Sequence, residues 1–159
     1  MQEELFKLIV LEKSKELEDF LKSQKVDLNQ KDEFGDTPLY TACTSSNFEI
    51  VQILLKYPQN INEQCTGKCT SLYSAVQKRK TDIVKLLIEK GADVNIADKY
   101  GNTPLIESAD MFKDDDTIIK LLLENGADPY QKNNYGVSVY KLLEMPRLEP
   151  IRKLFPPEK

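Results

Sequence analysis

Histidine is absent from this 159-residue sequence. That removes the commonest general base and the commonest zinc ligand. Cysteine is scarce: three residues, an odd number without secreted-style spacing, which fits a reducing compartment. No apolar run approaches the roughly 18 residues of a membrane span. The longest, residues 5–11 broken by Lys7 and 118–123 broken by Lys120, read as buried helix faces. No Gly-rich phosphate loop is present; the glycines at 35, 67, 91, 101, 126 and 136 each stand in a turn or helix-stop context. Clustered basic residues are nearly missing too. The best group, Lys78-Arg79-Lys80, reads as a solvated turn. With a net charge of −4 this argues against a grip on phosphate backbone. The N-terminus is acidic rather than a basic n-region, so no signal peptide and a cytoplasmic location are expected.

What is there suits one soluble domain with an adequate core, at 40% hydrophobic and 30% charged residues. Self-similarity runs through it. Asn29, Asn62 and Asn95 stand 33 residues apart, after Asp27-Leu28, Asn60-Ile61 and Asp93-Val94. Thr37-Pro38-Leu39-Tyr40 recurs at the same step as Thr70-Ser71-Leu72-Tyr73 and Thr103-Pro104-Leu105-Ile106. Glu49-Ile50-Val51 recurs as Asp82-Ile83-Val84, then 35 residues on as Thr117-Ile118-Ile119. The two extra residues fall within 111–116, between the helices of the third unit.

Each unit has a physical reading. Thr is a helix N-cap, and Pro at the next position loses no hydrogen bond. A short helix follows, with small residues Ala42, Ala75 and Ser108 that let neighbouring units approach. A polar turn at 44–47, 77–80 or 110–116 leads to a second helix. Its apolar stripe (Ile50, Val51, Ile53, Leu54 and Leu55 in the first unit) covers more than one face. Such a helix fits between its own partner and both neighbouring units. Gly91 and Gly126 end two of these helices in the favoured position, and Pro58 ends the other. Between units, Asp32-Glu33-Phe34-Gly35 and Asp98-Lys99-Tyr100-Gly101 read as tight turns projecting from an all-α stack.

The run Asp98-Lys99-Tyr100-Gly101-Asn102-Thr103-Pro104-Leu105, with 118–123 and Asn125-Gly126-Ala127-Asp128 after it, resembles the ankyrin repeat. So do 32–39 and 83–95. The match covers roughly residues 29–155. It implies a solenoid of helix–turn–helix units with β-hairpin-like loops: a helical cap at 1–28, repeats at 29–61, 62–94 and 95–129, and a capping repeat at 130–159. Within the first cap, helices at Gln2–Val10 and 15–22 are expected, with Leu17, Phe20 and Leu21 packed inward. The departures are informative. The family's usual His after Thr-Pro-Leu is Tyr40, Tyr73, Ile106 and Lys141. Unit two has Lys68 at the turn Gly position, Gly67 one residue early, Cys65 for Asp and Ser71 for Pro, so its hairpin is expected to be distorted or more mobile. Unit four has Ser138-Val139 for Thr-Pro, a shortened turn at Met145-Pro146, and a last helix at 148–155 whose Arg147, Arg152 and Lys153 suit a cap's polar outer face.

The resemblance also implies an L-shaped stack with a concave face made by the first helices and hairpin tips, where partners bind. The positions free to vary there are Glu33, Phe34, Asp36, Thr44 and Ser45; Thr66, Cys69, Gln77 and Lys78; Lys99, Tyr100, Asn102, Asp110 and Met111; and Asn134, Tyr135 and Val137. Phe34, Tyr100 and Tyr135 share one hairpin position. Either each packs on the neighbouring hairpin, or they form an exposed aromatic row of the kind that anchors interfaces. Asp110 and Asp114–116 form an acidic knob that caps the next helix or meets a basic partner.

Other chemistry is set aside. Cys65-x3-Cys69 lacks the four ligands zinc needs, and a Cys nucleophile has no His base. A Cys65–Cys69 disulfide belongs only to an oxidising place. No metal, cofactor or catalytic residue is expected. The expectation is a non-enzymatic module, monomeric, binding another protein as inhibitor or effector, with no nucleic acid or membrane partner. The alternative is an adaptor that links two partners or self-associates.

Overall fold

The computed structural model describes residues 2–45 and 47–157. Ser46, in the expected turn at 44–47, lies outside the described residues. The elements are α1 (Gln2–Val10), α2 (Ser14–Ser23), α3 (Pro38–Ser45), α4 (Phe48–Leu54), α5 (Ser71–Gln77), α6 (Thr81–Glu89), α7 (Pro104–Asp110), α8 (Thr117–Glu124) and α9 (Val139–Leu143). A 3-10 turn spans Thr66–Lys68, and a 3-10 helix spans Pro146–Leu154. No strand occurs among the described residues. The odd helices α1 to α9 form an inner row and the even ones an outer row. Neighbours touch more closely in the inner row than in the outer, so the stack bends toward its inner helices.

The cap chemistry read from the sequence is in place. Thr37, Thr70 and Thr103 accept the backbone N–H groups of Tyr40, Tyr73 and Ile106 at 3.3, 3.1 and 3.2 Å. Ser138 makes no such bond. At Gly91 and Gly126 the chain turns left-handed, and the next amide reaches back to the helix: Ala92 N–H to the Leu87 carbonyl at 3.0 Å, Ala127 N–H to Leu122 at 2.9 Å. The first unit has Pro58 there. The side-chain amide of Gln59, in the place of Ala92, donates to the Leu54 carbonyl at 2.6 Å instead.

One continuous core runs the length of the stack. Ile50, Val51, Leu54, Ile83, Val84, Leu87, Ile119 and Leu122 are at most 1% exposed. Burial of such side chains stabilises a fold by roughly 1.5–3 kcal/mol each. In the cap, Leu17 and Leu21 are buried and Phe20 half-buried.

Of the small residues on the inner helices, Ala42 and Ala75 are fully buried and Ser108 is half-buried, its hydroxyl donating to the Leu105 carbonyl at 2.8 Å. Two expectations need correction. The apolar run at 5–11 is not a buried face throughout: α1 packs mainly on α2 and α3, and Val10 and Leu11 are 60% and 54% exposed. The last helix is a 3-10 helix beginning at Pro146. Pro150 lies inside it, where it lacks the N–H an α-helix needs. Leu148, Ile151 and Phe155 still pack inward, and Arg147, Arg152 and Lys153 are exposed. The tail is pinned by tyrosines: Tyr130 stacks on Tyr140 at 5.3 Å, and their hydroxyls donate to the Pro157 and Pro156 carbonyls.

Candidate functional site

Four hairpin loops project between the units, at 32–36, 65–69, 98–102 and 133–137. Each is closed by one neck hydrogen bond from its first amide to its last carbonyl: Asp32 to Asp36, Cys65 to Cys69, Asp98 to Asn102 and Asn133 to Val137, at 2.8 to 3.0 Å. In three of them the first residue's side-chain oxygen also accepts two loop amides, as Asp98 does from Tyr100 and Asn102, both at 2.9 Å. Asp32 and Asn133 repeat the pattern. Cys65 breaks it. Its sulfur faces the Thr37 amide at 3.4 Å, and the loop folds into the 3-10 turn.

Unit two is therefore distorted, but its neck survives. Gly67 and Lys68 both have positive φ, 69° and 59°. Lys68 occupies the conformation that Gly35, Gly101 and Gly136 hold in the other loops, one that costs a residue with a Cβ about 1–2 kcal/mol.

Neighbouring hairpins are tied tip to tip. The Phe34 carbonyl accepts from the Thr66 hydroxyl at 2.8 Å, Gly67 from the Lys99 amide at 2.8 Å, and Tyr100 from the Asn134 amide at 2.9 Å. The third and fourth loops lie so close that a Cβ on Gly101 would meet the Asn134 amide nitrogen at 2.8 Å.

This backbone bonding holds the aromatic position while leaving its rings free. Phe34 and Tyr135 are 72% and 73% exposed; Tyr100 is 45% exposed, with the Lys99 ammonium 4.8 Å from its ring centre. Packing of each ring on the neighbouring hairpin does not occur at Phe34 or Tyr135. Gly67 takes the same position in unit two, so the row has a gap there.

The other named positions differ in exposure. Glu33, Ser45, Gln77, Lys78, Lys99, Asp110 and Asn134 are exposed, as is Thr66. Asp36, Thr44, Cys69, Asn102, Met111 and Val137 are half-buried. Several are engaged within the chain. Asp36 accepts the Thr66 amide, Asn102 accepts from the Asn133 side chain, and Asp110 binds Arg147 at 3.0 Å. The acidic knob is dispersed accordingly: Asp115 takes the Thr117 amide and hydroxyl, bonds that hold its carboxyl below its usual range, and Asp116 pairs with Lys120.

Sequence reasoning missed a polar centre on the inner row. The Tyr73 hydroxyl lies 2.9 Å from a Glu107 oxygen and 3.2 Å from an Asp98 oxygen, and the Gln77 amide reaches the other Glu107 oxygen at 3.3 Å. Burial first, then the two carboxylates, push the Tyr73 phenol far above its ordinary value. The only signal was Tyr73 at the family's His position. Burial pushes the nearby Tyr40 phenol up to about 12 and the Cys69 thiol up to about 11. Cys43, fully buried, is also pushed up. All three cysteines are free thiols, and elevated values leave little thiolate for nucleophilic chemistry. No group of three or more candidate metal ligands occurs among the described residues.

A repeating helical pair, hairpins at a 33-residue step and threonine caps define the class, and comparison with known proteins agrees. The family model of ankyrin repeats (3 copies) matches residues 6–98 and 68–133, so the chain belongs to the ankyrin repeat family. Among similar proteins, the "Probable 26S proteasome regulatory subunit p28" of Saccharomyces cerevisiae is 34% identical over 101 residues, 60% of this chain and 44% of that protein. The "Ankyrin repeat and SOCS box protein 5" of Oryctolagus cuniculus is 38% identical over 95 residues, 58% of this chain and 27% of that one. "Alpha-latrotoxin-Lg1a" of Latrodectus geometricus is 37% identical over 83 residues, half of this chain and 6% of the toxin. The chain thus spans less than half the length of each of these relatives. Ankyrin repeats are generally non-enzymatic protein–protein interaction modules.

Proposed function

We propose that this chain works by binding a protein on its hairpin tips and concave face, without catalysis, and that Phe34, Tyr100 and Tyr135 are its main anchors. The observation that carries this reading is the aromatic row. Two large rings stand more than 70% exposed and a third nearly half, while the backbone amide of each is held by the first residue of its hairpin and the carbonyls of Phe34 and Tyr100 by the next hairpin. Rigid, exposed aromatics with few rotamers lose little entropy when a partner covers them. Glu33, Lys99 and Asn134 flank the rings as a polar rim; Gln77, Lys78 and Ser45 extend the surface along the inner helices. The inward-tied residues Asp36, Asn102 and Asp110 act by holding these positions.

The test is affinity capture from native lysate with the wild-type chain and with Phe34, Tyr100 and Tyr135 all changed to Ala. The variant should stay folded by circular dichroism, because these rings contribute little to the core, and should lose the partner. Unchanged capture by the folded variant would overturn the anchor assignment.

A further inference from the structure

A groove of about 490 Å³ lies between α1 and the first hairpin. Its lining joins residues of α1, of the first hairpin and of α3, among them Phe6 and Val10 of α1, Phe34 of the hairpin and Thr41 of α3. Val10, 60% exposed, and Phe34, 72% exposed, both line it and give it an apolar part.

The charges around it have one sign left over. Lys7 and Lys31 line it against Glu3, Asp32 and Glu33; Lys31 is paired at 2.7 Å with Glu63, and Lys7 lies 4.0 Å from Glu4. Glu3 and Glu33 make no ion pair among the described residues, and neither do Asp98 and Glu107 farther along the inner row. At Tyr73 the excess is explicit: one hydroxyl proton faces two carboxylates. A surface of this kind repels phosphate and repels a second copy of a chain whose own net charge is −4. It complements an apolar side chain flanked by cations.

We propose that this groove seats an apolar anchor from a basic segment of a partner protein, with Lys or Arg beside the anchor meeting Glu3 and Glu33. The inference rests on the protein-binding reading above and names the chemistry of the partner. Phe34 then serves both as tip anchor and as part of the groove's lining.

The experiment uses the full chain and a displayed library of random 12-residue peptides, with enriched peptides remade and titrated by fluorescence anisotropy. The expected winners carry one large apolar residue among Lys or Arg. Val10→Glu should weaken them by roughly tenfold or more, since an anchor's loss is of that order. E3Q combined with E33Q should weaken them and flatten the dependence of affinity on salt. Val10→Ser, checked for folding by circular dichroism, removes the apolar contact without adding a charge and should weaken binding as well. Enrichment of acidic or uncharged peptides, no enrichment, or full binding by a folded Val10→Glu chain would each overturn the inference. The two readings fail separately. If changing Tyr100 and Tyr135 to Ala abolishes partner capture while Val10→Glu leaves it intact, the groove is wrong and the protein-binding reading stands.

Discussion

The side-chain oxygen of Asn62 accepts the backbone N–H of Asp93 at 2.8 Å, and so latches the base of one unit to the base of the next. Asn29 does the same for Asn60 at 2.6 Å, and Asn95 for Asp128 at 2.7 Å. An isolated surface asparagine would matter little; a half-buried one joining two units at the middle of a stack controls their coupling. Asn62→Ala should cost about 1 kcal/mol, the usual net worth of a hydrogen bond, and lower Tm by roughly 2–4 °C. Asn62→Asp, which keeps the accepting oxygen, should cost less. Equal losses for both in thermal unfolding would contradict the latch.

The Gln59 amide closes the end of α4 on the Leu54 carbonyl, a task Ala92 and Ala127 perform with their backbones. Gln59→Ala leaves that carbonyl with the Tyr57 amide alone, at 3.1 Å, and should destabilise the chain by about 1 kcal/mol, the usual net worth of one hydrogen bond. Gln59→Glu, unable to donate when ionised, should behave like Gln59→Ala in urea unfolding at neutral pH. A neutral outcome for both would show that water serves the carbonyl equally well.

Lys68 sits at φ 59° where three other hairpins have glycine. Lys68→Gly relieves the Cβ strain but frees the unfolded chain, so the net gain should be small, about 0.5–1 kcal/mol. It should appear as a higher urea midpoint with an unchanged slope. Destabilisation would mean that Lys68 makes contacts that outweigh its strained backbone.

The thiols offer a pH test. Burial lifts Cys69 from an ordinary value near 9 to about 11 in the folded chain, and lifts Cys65 as well. A group whose folded pKa is raised binds its proton more tightly when folded. Its contribution to stability is present below about pH 9 and fades as pH rises toward 11. Urea midpoints should therefore fall across that window, and less so when both positions are Ser. Alkylation of Cys69 by iodoacetamide should be slow at pH 7, accelerate steeply above pH 9, and precede that of fully buried Cys43.

Much of this architecture was legible because it depends on residue types at a fixed step. Threonine caps, glycine stops and the outer helices' stripe each name their own local structure, and all three threonine caps formed as read. What escaped were tasks done by one residue for a distant one. Gln59 replaces a backbone donor with a side chain, and nothing in its identity says so. Tyr73 finds its carboxylates 25 and 34 residues away, on elements whose approach only the stack determines. Unit two was readable as irregular, but not that its neck would hold. The groove was missed because Val10 was assigned to a buried face, and only the packing of α1, mainly on α2 and α3, leaves that residue exposed. The aromatic row was legible as a register; its exposure was not.

The tip-to-tip bonds and the asparagine latches have a mechanical meaning. Each reaches 31 to 34 residues along the chain, never farther than the adjoining unit. No bond of this set spans from the first unit to the third, so tension applied to the two ends is carried in series. Such a chain should behave as a spring under load, yielding unit by unit in a sawtooth of small force drops and recoiling quickly, because re-forming each link asks only for a short loop to close.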